Sequence, residues 1–158
     1  MDYLALKNAI LGSADCAAYI VTNDMPKDPD YLSKDQAIAD IFNAPVGTRL
    51  IERFENAIGI MSALGALTGA NILEKLDSVK GSIPVIKWAM TALASAEGIN
   101  LGDPETQLML DSLAVSNVIT VEEATLVKNL AIMPSSLAYQ VVGQPITASD
   151  VSIALRNY

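Results

Sequence analysis

Histidine does not occur in this chain of 158 residues, and cysteine occurs once, as Cys16. The first absence removes the commonest general base, the commonest metal ligand and every Ser-His or Cys-His nucleophile pair. The second excludes an intrachain disulfide, and the two together exclude a zinc site of thiolates and imidazoles within one chain. A single cysteine is compatible with a reducing compartment. Positive charge is also scarce. Ten Lys and Arg stand against 18 Asp and Glu, for a net charge of −8. The ten are scattered from Lys7 to Arg156 and form neither a run nor a stripe. Phosphate neutralisation needs clustered cations, so no nucleic-acid partner and no anionic membrane surface are expected. Met1-Asp2 opens a helical pattern and not a basic segment followed by an apolar one, which predicts no secretory leader.

Other chemistries fail on spacing. "GALTGAN", residues 65–71, has glycines but no Lys-Ser/Thr pair and no preceding strand, so it is read as close helix packing or a helix break and not as a phosphate loop. Asp24, Asp28 and Asp30 share one loop, and Asp103 and Glu105 another. A hard cation takes about 6–8 oxygen ligands, and neither loop has the glycine and closing glutamate of a calcium loop. No metal, no cofactor and no catalytic residue is assigned, and the chain is expected not to be an enzyme.

What is present is aliphatic. Apolar residues make up 51% of the chain but aromatics only 5%, and mean hydropathy is +0.34. Ala, Leu and Met are good helix formers, and the chain reads as a succession of capped helices. Asp2 caps the first, which ends at Gly12, and Ser13 caps a second through Ile20. "NDMPKDPD", residues 23–30, is a polar loop. In "DYLSKDQAIADIFNAP", Ser33 and Gln36 fit a capping box, with Asp28 before Pro29 as an earlier start; Ile38, Ile41 and Phe42 face inward, and Pro45 stops the helix near Asn43. Thr48 opens the longest pattern, through Leu50, Ile51, Phe54, Ile58, Met61 and Leu64, with "TGAN" at 68–71 as a break before Ile72, Leu73, Leu76 and Val79. Pro84 starts a helix carrying Trp88. Asp103-Pro104 starts another, "TVEE" at 120–123 is a capping box, Gly143 ends the segment 135–142, and "TASD" at 147–150 caps the last helix. No stretch alternates with period two over strand length, apart from brief ones such as "YIVT" at 19–22. The expected fold is all-α: one helical domain over 1–158, a compact bundle of about eight or nine short helices around a central apolar helix.

Between Glu55 and Glu74 lie 18 residues without a charge. That is near the minimum for a membrane span of about 17–25 residues. Asn56, Ser62, Thr68 and Asn71, and the lack of aromatic belts or a basic flank, favour a core or subunit-contact helix instead. Ile58, Met61 and Leu64 in this stretch, together with Trp88, are the candidate interface residues.

Two stretches carry a resemblance. "MDYLALKNAI…DQAIADIFNAP" resembles the opening of small helical proteins of tailed bacteriophages. The stretch from "LGDPETQLMLDSL" through "TVEEATLVKNL" and "PSS" to "ITASDVSIAL" is similar to their closing half. The resemblance covers roughly two thirds of the chain, rests mostly on helix caps, and carries no functional residue with it. It implies a virion or tail-associated structural or adaptor protein, assembled in the host cytoplasm, that works as a homo-oligomer and through contacts with other virion proteins. Two alternatives stand beside it: a small membrane-active lysis protein, and a hydrolase using two carboxylates about 5–9.5 Å apart.

Overall fold

The computed structural model describes residues 1–22 and 28–157. In chain order the elements are α1 (Tyr3–Gly12), a 3₁₀ turn (Ala14–Tyr19), α2 (Tyr31–Asn43), β1 (Pro45–Leu50), β2 (Phe54–Glu55), α3 (Ala57–Leu64), α4 (Ala66–Val79), α5 (Pro84–Leu93), β3 (Ile99–Asn100), α6 (Pro104–Val115), α7 (Val121–Asn129), β4 (Ile132–Ser136), α8 (Leu137–Val142) and α9 (Ala148–Asn157). The chain is mostly helical, at 64% helix. It is not strictly all-α: β1 pairs with β4, and β2 with β3, in two-stranded ribbons. The sequence reading takes 1–158 as one helical domain. The contacts group the chain into two compact units, Met1–Thr48 with Pro134–Tyr158, and Arg49–Met133.

The first unit joins the two ends of the chain. In α1 the Asp2 carboxylate accepts from the Ala5 N–H at 2.9 Å, and Leu6 and Ile10, four residues apart, are fully buried. In α2 the buried stripe is Asp35, Ile38, Ala39 and Phe42. The Ser33–Gln36 capping box does not form. The helix starts earlier, at Tyr31 after Asp30, whose side chain makes no capping bond; Asp28 accepts from the Asp30 N–H just ahead of it, Ser33 donates to the Asp30 carbonyl and Gln36 to Asp40. Residues 23–27 of the polar loop, with Asp24, lie outside the described residues.

Asp35 is a buried carboxylate on an otherwise apolar stripe, and α9 supplies its partner. Arg156 Nη1 and Nη2 donate to Asp35 Oδ2 and Oδ1 at 2.8 and 3.0 Å. Ser152 Oγ accepts from the same guanidinium at 2.9 Å, which lies 5.1 Å from the Tyr31 ring centre. Two more pairs close the unit. The Tyr3 hydroxyl donates to Asp150 at 3.1 Å, and the Asn43 amide donates to the Ile146 carbonyl at 2.7 Å while accepting from its N–H at 3.0 Å.

The run from Thr48, which leads into the second unit, is not helical at its start. Pro45–Leu50 is strand, the Ile51 N–H donates to the Ala131 carbonyl, and the helix begins only at Ala57, where Asn56 accepts from the Gly59 N–H at 2.8 Å. Pro45 and the β-branched Val46 and Thr48 suit an extended edge. The break falls at Gly65, whose φ of 88° favours glycine, and not at 68–71. Gly69 lies inside α4, where a Cβ would stand 2.6 Å from the Met61 Cα, so its bare backbone lets α3 fold back on α4.

Helix α4 feeds two apolar clusters. Ile72 and Leu76 join Ile86, Leu110, Leu113 and Val127, while Leu73 joins Ile60 and Leu93. Thr120 and Glu123 form the expected capping box, and Lys75 donates to Glu123 at 2.6 Å. That ammonium, with the Thr120 N–H, holds the Glu123 carboxyl below the usual carboxylate range. The β2–β3 ribbon is antiparallel, with Phe54 opposite Asn100 and Glu55 opposite Ile99. Behind it, a Cβ on Gly102 would stand 1.8 Å from the Ile51 carbonyl oxygen.

Two outcomes follow for chemical denaturation. Gly102→Ala should cost about 2 kcal/mol or more, whereas Gly47→Ala, with nothing within 4 Å of its Cβ, should shift stability by under about 1 kcal/mol. Asp35→Ala should cost about 3–5 kcal/mol because it strands the buried guanidinium, and the double variant Asp35→Leu/Arg156→Met should recover most of that loss.

Candidate functional site: an apolar groove between α5 and α6

Helix α5 starts at Pro84, whose missing N–H costs nothing at the first helical position. Its inward stripe is Ile86 and Leu93, both buried, with Met90 half-buried between them. Apolar residues also occupy the opposite side. Trp88 is 70% exposed and Val85 54%. Helix α6 is set by the Asp103 carboxylate, which accepts from the Thr106 N–H at 3.0 Å. Leu110 and Leu113 point to the core, and the buried Gln107 amide donates to the Leu101 carbonyl at 2.5 Å. Leu108, on the outer side, is 60% exposed.

The outer sides of the two helices line one open groove of about 570 Å³. Val85, Trp88, Ala89 and Ala92 come from α5, Glu105, Leu108, Met109 and Ser112 from α6, with Ile99 and Thr106 completing the lining. Ala89, Ile99, Thr106 and Met109 also bound a small apolar void of about 30 Å³ in the core beneath. Among the described residues, Glu105 is the sole titratable side chain of the lining. One carboxylate with no acid or base facing it does not make an acid–base pair. The arrangement suits burial of apolar side chains.

Of the four candidate interface residues, only Trp88 lies in this groove. Ile58 is 72% exposed on α3. Met61 and Leu64 are half-buried and pack against the Ile60–Leu73–Leu93 cluster. The charge-free stretch is thus two helices parted at Gly65, with both core and surface positions. Among the described residues, no helix is long and apolar enough to cross a membrane. Val85 and Leu108 belong to the exposed face but were not singled out from the sequence. The signal for them is a second apolar stripe on each helix, beside the one that fills the core.

Of the carboxylates that the sequence groups in loops, Asp28 and Asp103 have structural partners, as has the buried Asp35. Asp103 is a helix cap, Asp28 accepts from Lys34 at 2.6 Å, and Asp35 is locked by Arg156. Cys16 is fully buried in the first unit's core, and burial pushes its thiol up. Among the described residues, no three His, Cys, Asp or Glu side chains gather to hold a metal ion.

Comparisons with protein-family models, curated proteins and solved structures find no match to this chain.

The two faces of α5 should behave differently on truncation. Ile86→Ala should cost about 2–5 kcal/mol in denaturant unfolding, and Trp88→Ala, two positions on, about 0.5 kcal/mol or less in the dilute protein.

Proposed function

We propose that this chain is a non-enzymatic structural or adaptor protein that works through protein–protein contacts, with the α5–α6 face as a contact surface. The observation that carries the reading is the exposure of Trp88 beside Val85 and Leu108 along one groove. Large apolar patches left open on a chain mark interaction surfaces, and tryptophan is enriched among the residues that dominate binding energy. The lack of histidine and the structural engagement of Asp28, Asp35 and Asp103 favour contact over catalysis.

The setting is a bacteriophage particle, as a virion or tail component in contact with copies of itself and with other virion proteins. Its support is the likeness of the two quoted stretches to small helical phage proteins. The finer picture of the fold, short helices gathered around one apolar helix, fits α4 as the centre of the second unit, since α4 supplies side chains to both apolar clusters there.

Light scattering over a concentration series, with mass spectrometry of virions whose genome encodes the chain, tests the reading. Self-association, or binding to a virion protein that is lost in Trp88→Ala, and presence in particles at fixed stoichiometry are expected. A monomer at every concentration that is absent from particles would overturn it.

A further inference from the structure

We infer that the α5–α6 groove seats one amphipathic helix of a partner protein, which lays a large apolar side chain against Trp88 and brings a lysine or arginine to Glu105. This rests on the contact reading above and adds the partner's shape and charge.

The shape comes from spacing. On α5 the lining residues are Val85, Trp88, Ala89 and Ala92, and on α6 they are Glu105, Leu108, Met109 and Ser112. Both sets run i, i+3, i+4, i+7, the pattern of a helix face that packs against another helix. Each helix has a second, separate stripe already buried in the core. The groove therefore has two walls of a helix-packing seam and lacks the third member. Ala89, Ala92 and Ser112 are small and allow close approach, and Met109 is unbranched and adapts to what it meets. A helix laid in a groove with anchors at this spacing is a recurrent mode of recognition.

The charge comes from the lining. Glu105 is acidic, no lysine or arginine among the described residues lines the groove, and the chain carries −8 overall. A basic residue on the incoming helix gains from this field, and an acidic one loses. A second copy of this chain would bring its own Glu105 and its own −8 to the contact, so the electrostatics work against self-pairing here. A rim charge pair is worth little in water, so the preference should be modest, about two- to fivefold in affinity.

Three synthetic peptides without tryptophan make the test. The first is helical, with leucines at i, i+3, i+4 and i+7 and lysines flanking that stripe. The second replaces the lysines by glutamates, and the third scrambles the first. Binding is read from the emission of Trp88, the one tryptophan in the chain. The lysine peptide should give a saturable blue shift, the glutamate peptide should bind about two- to fivefold more weakly, and the scrambled peptide should not saturate. Glu105→Gln should abolish the preference while Glu74→Gln, outside the groove, leaves it. Leu108→Asp and Ser112→Arg, both at exposed positions, should each block binding without changing the far-UV circular dichroism. Equal affinity for the two helical peptides, or a preference that survives Glu105→Gln, would overturn the inference. A blue shift driven by protein concentration alone and blocked by Leu108→Asp would assign the groove to a second copy; the contact reading would then stand and the basic-helix inference would fall. No shift under any of these conditions would remove both.

Discussion

Short helices shape everything else in this fold. The α-helices run from 6 to 14 residues, since Gly12, Pro45, Gly65, Pro84, Pro104 and Gly143 each stop or start one. A helix of that length is marginal by itself and is held by the stripe it buries. Each α-helix here buries one to four of the described residues, such as Leu6 and Ile10 on α1 or Ile72, Leu73 and Leu76 on α4. A chain that is 51% apolar has more aliphatic side chains than such narrow stripes can take inside. The remainder stays outside: Ile58, Leu67, Trp88, Leu108 and Val115 are all at least 60% exposed. The same constraint that makes the elements short leaves the surface on which a contact function can be built.

Short elements also have to be tied across long stretches of sequence. In the first unit the ties are polar and specific. Asp35 and Arg156 are 121 residues apart, Tyr3 and Asp150 are 147 apart, and Asn43 and Ile146 are 103 apart. The charged pair is buried on both sides, so each partner is costly without the other. In the second unit close approaches of backbone add to such ties. Gly69 admits Met61, and Gly102 admits Ile51. Polar ties cross this unit as well: Lys75 donates to Glu123, 48 residues on, and Arg53 to the Leu130 carbonyl, 77 residues on.

Much of the local structure was legible in the sequence because it is local. The caps at Asp2, Asp103 and Thr120 and the left-handed stop at Gly143 depend on residues within one turn, and all four form as read. The Ser33–Gln36 box does not form because the helix already begins at Tyr31, so Ser33 lies inside its first turn. The ribbons were not legible. Strands β2 and β3 are two residues each, and β1 and β4 are held by partners more than 80 positions away. No period can show in so short a run, and pairing at that distance leaves no local mark. The Asp35–Arg156 clamp was hidden for the same reason: nothing near Asp35 says that its partner lies at the other end of the chain. For the candidate site, Trp88 was visible as a single large aromatic. Its neighbours across the groove were not, because a second apolar stripe on α6 looks in sequence like more core.

The central claim is physical: the single tryptophan of this chain stands in water and not in the core. Acrylamide quenching of Trp88 emission in the dilute protein measures this directly. Quenching close to that of free tryptophan is predicted. A Trp88 shielded to the level of a core residue at every dilution would contradict it.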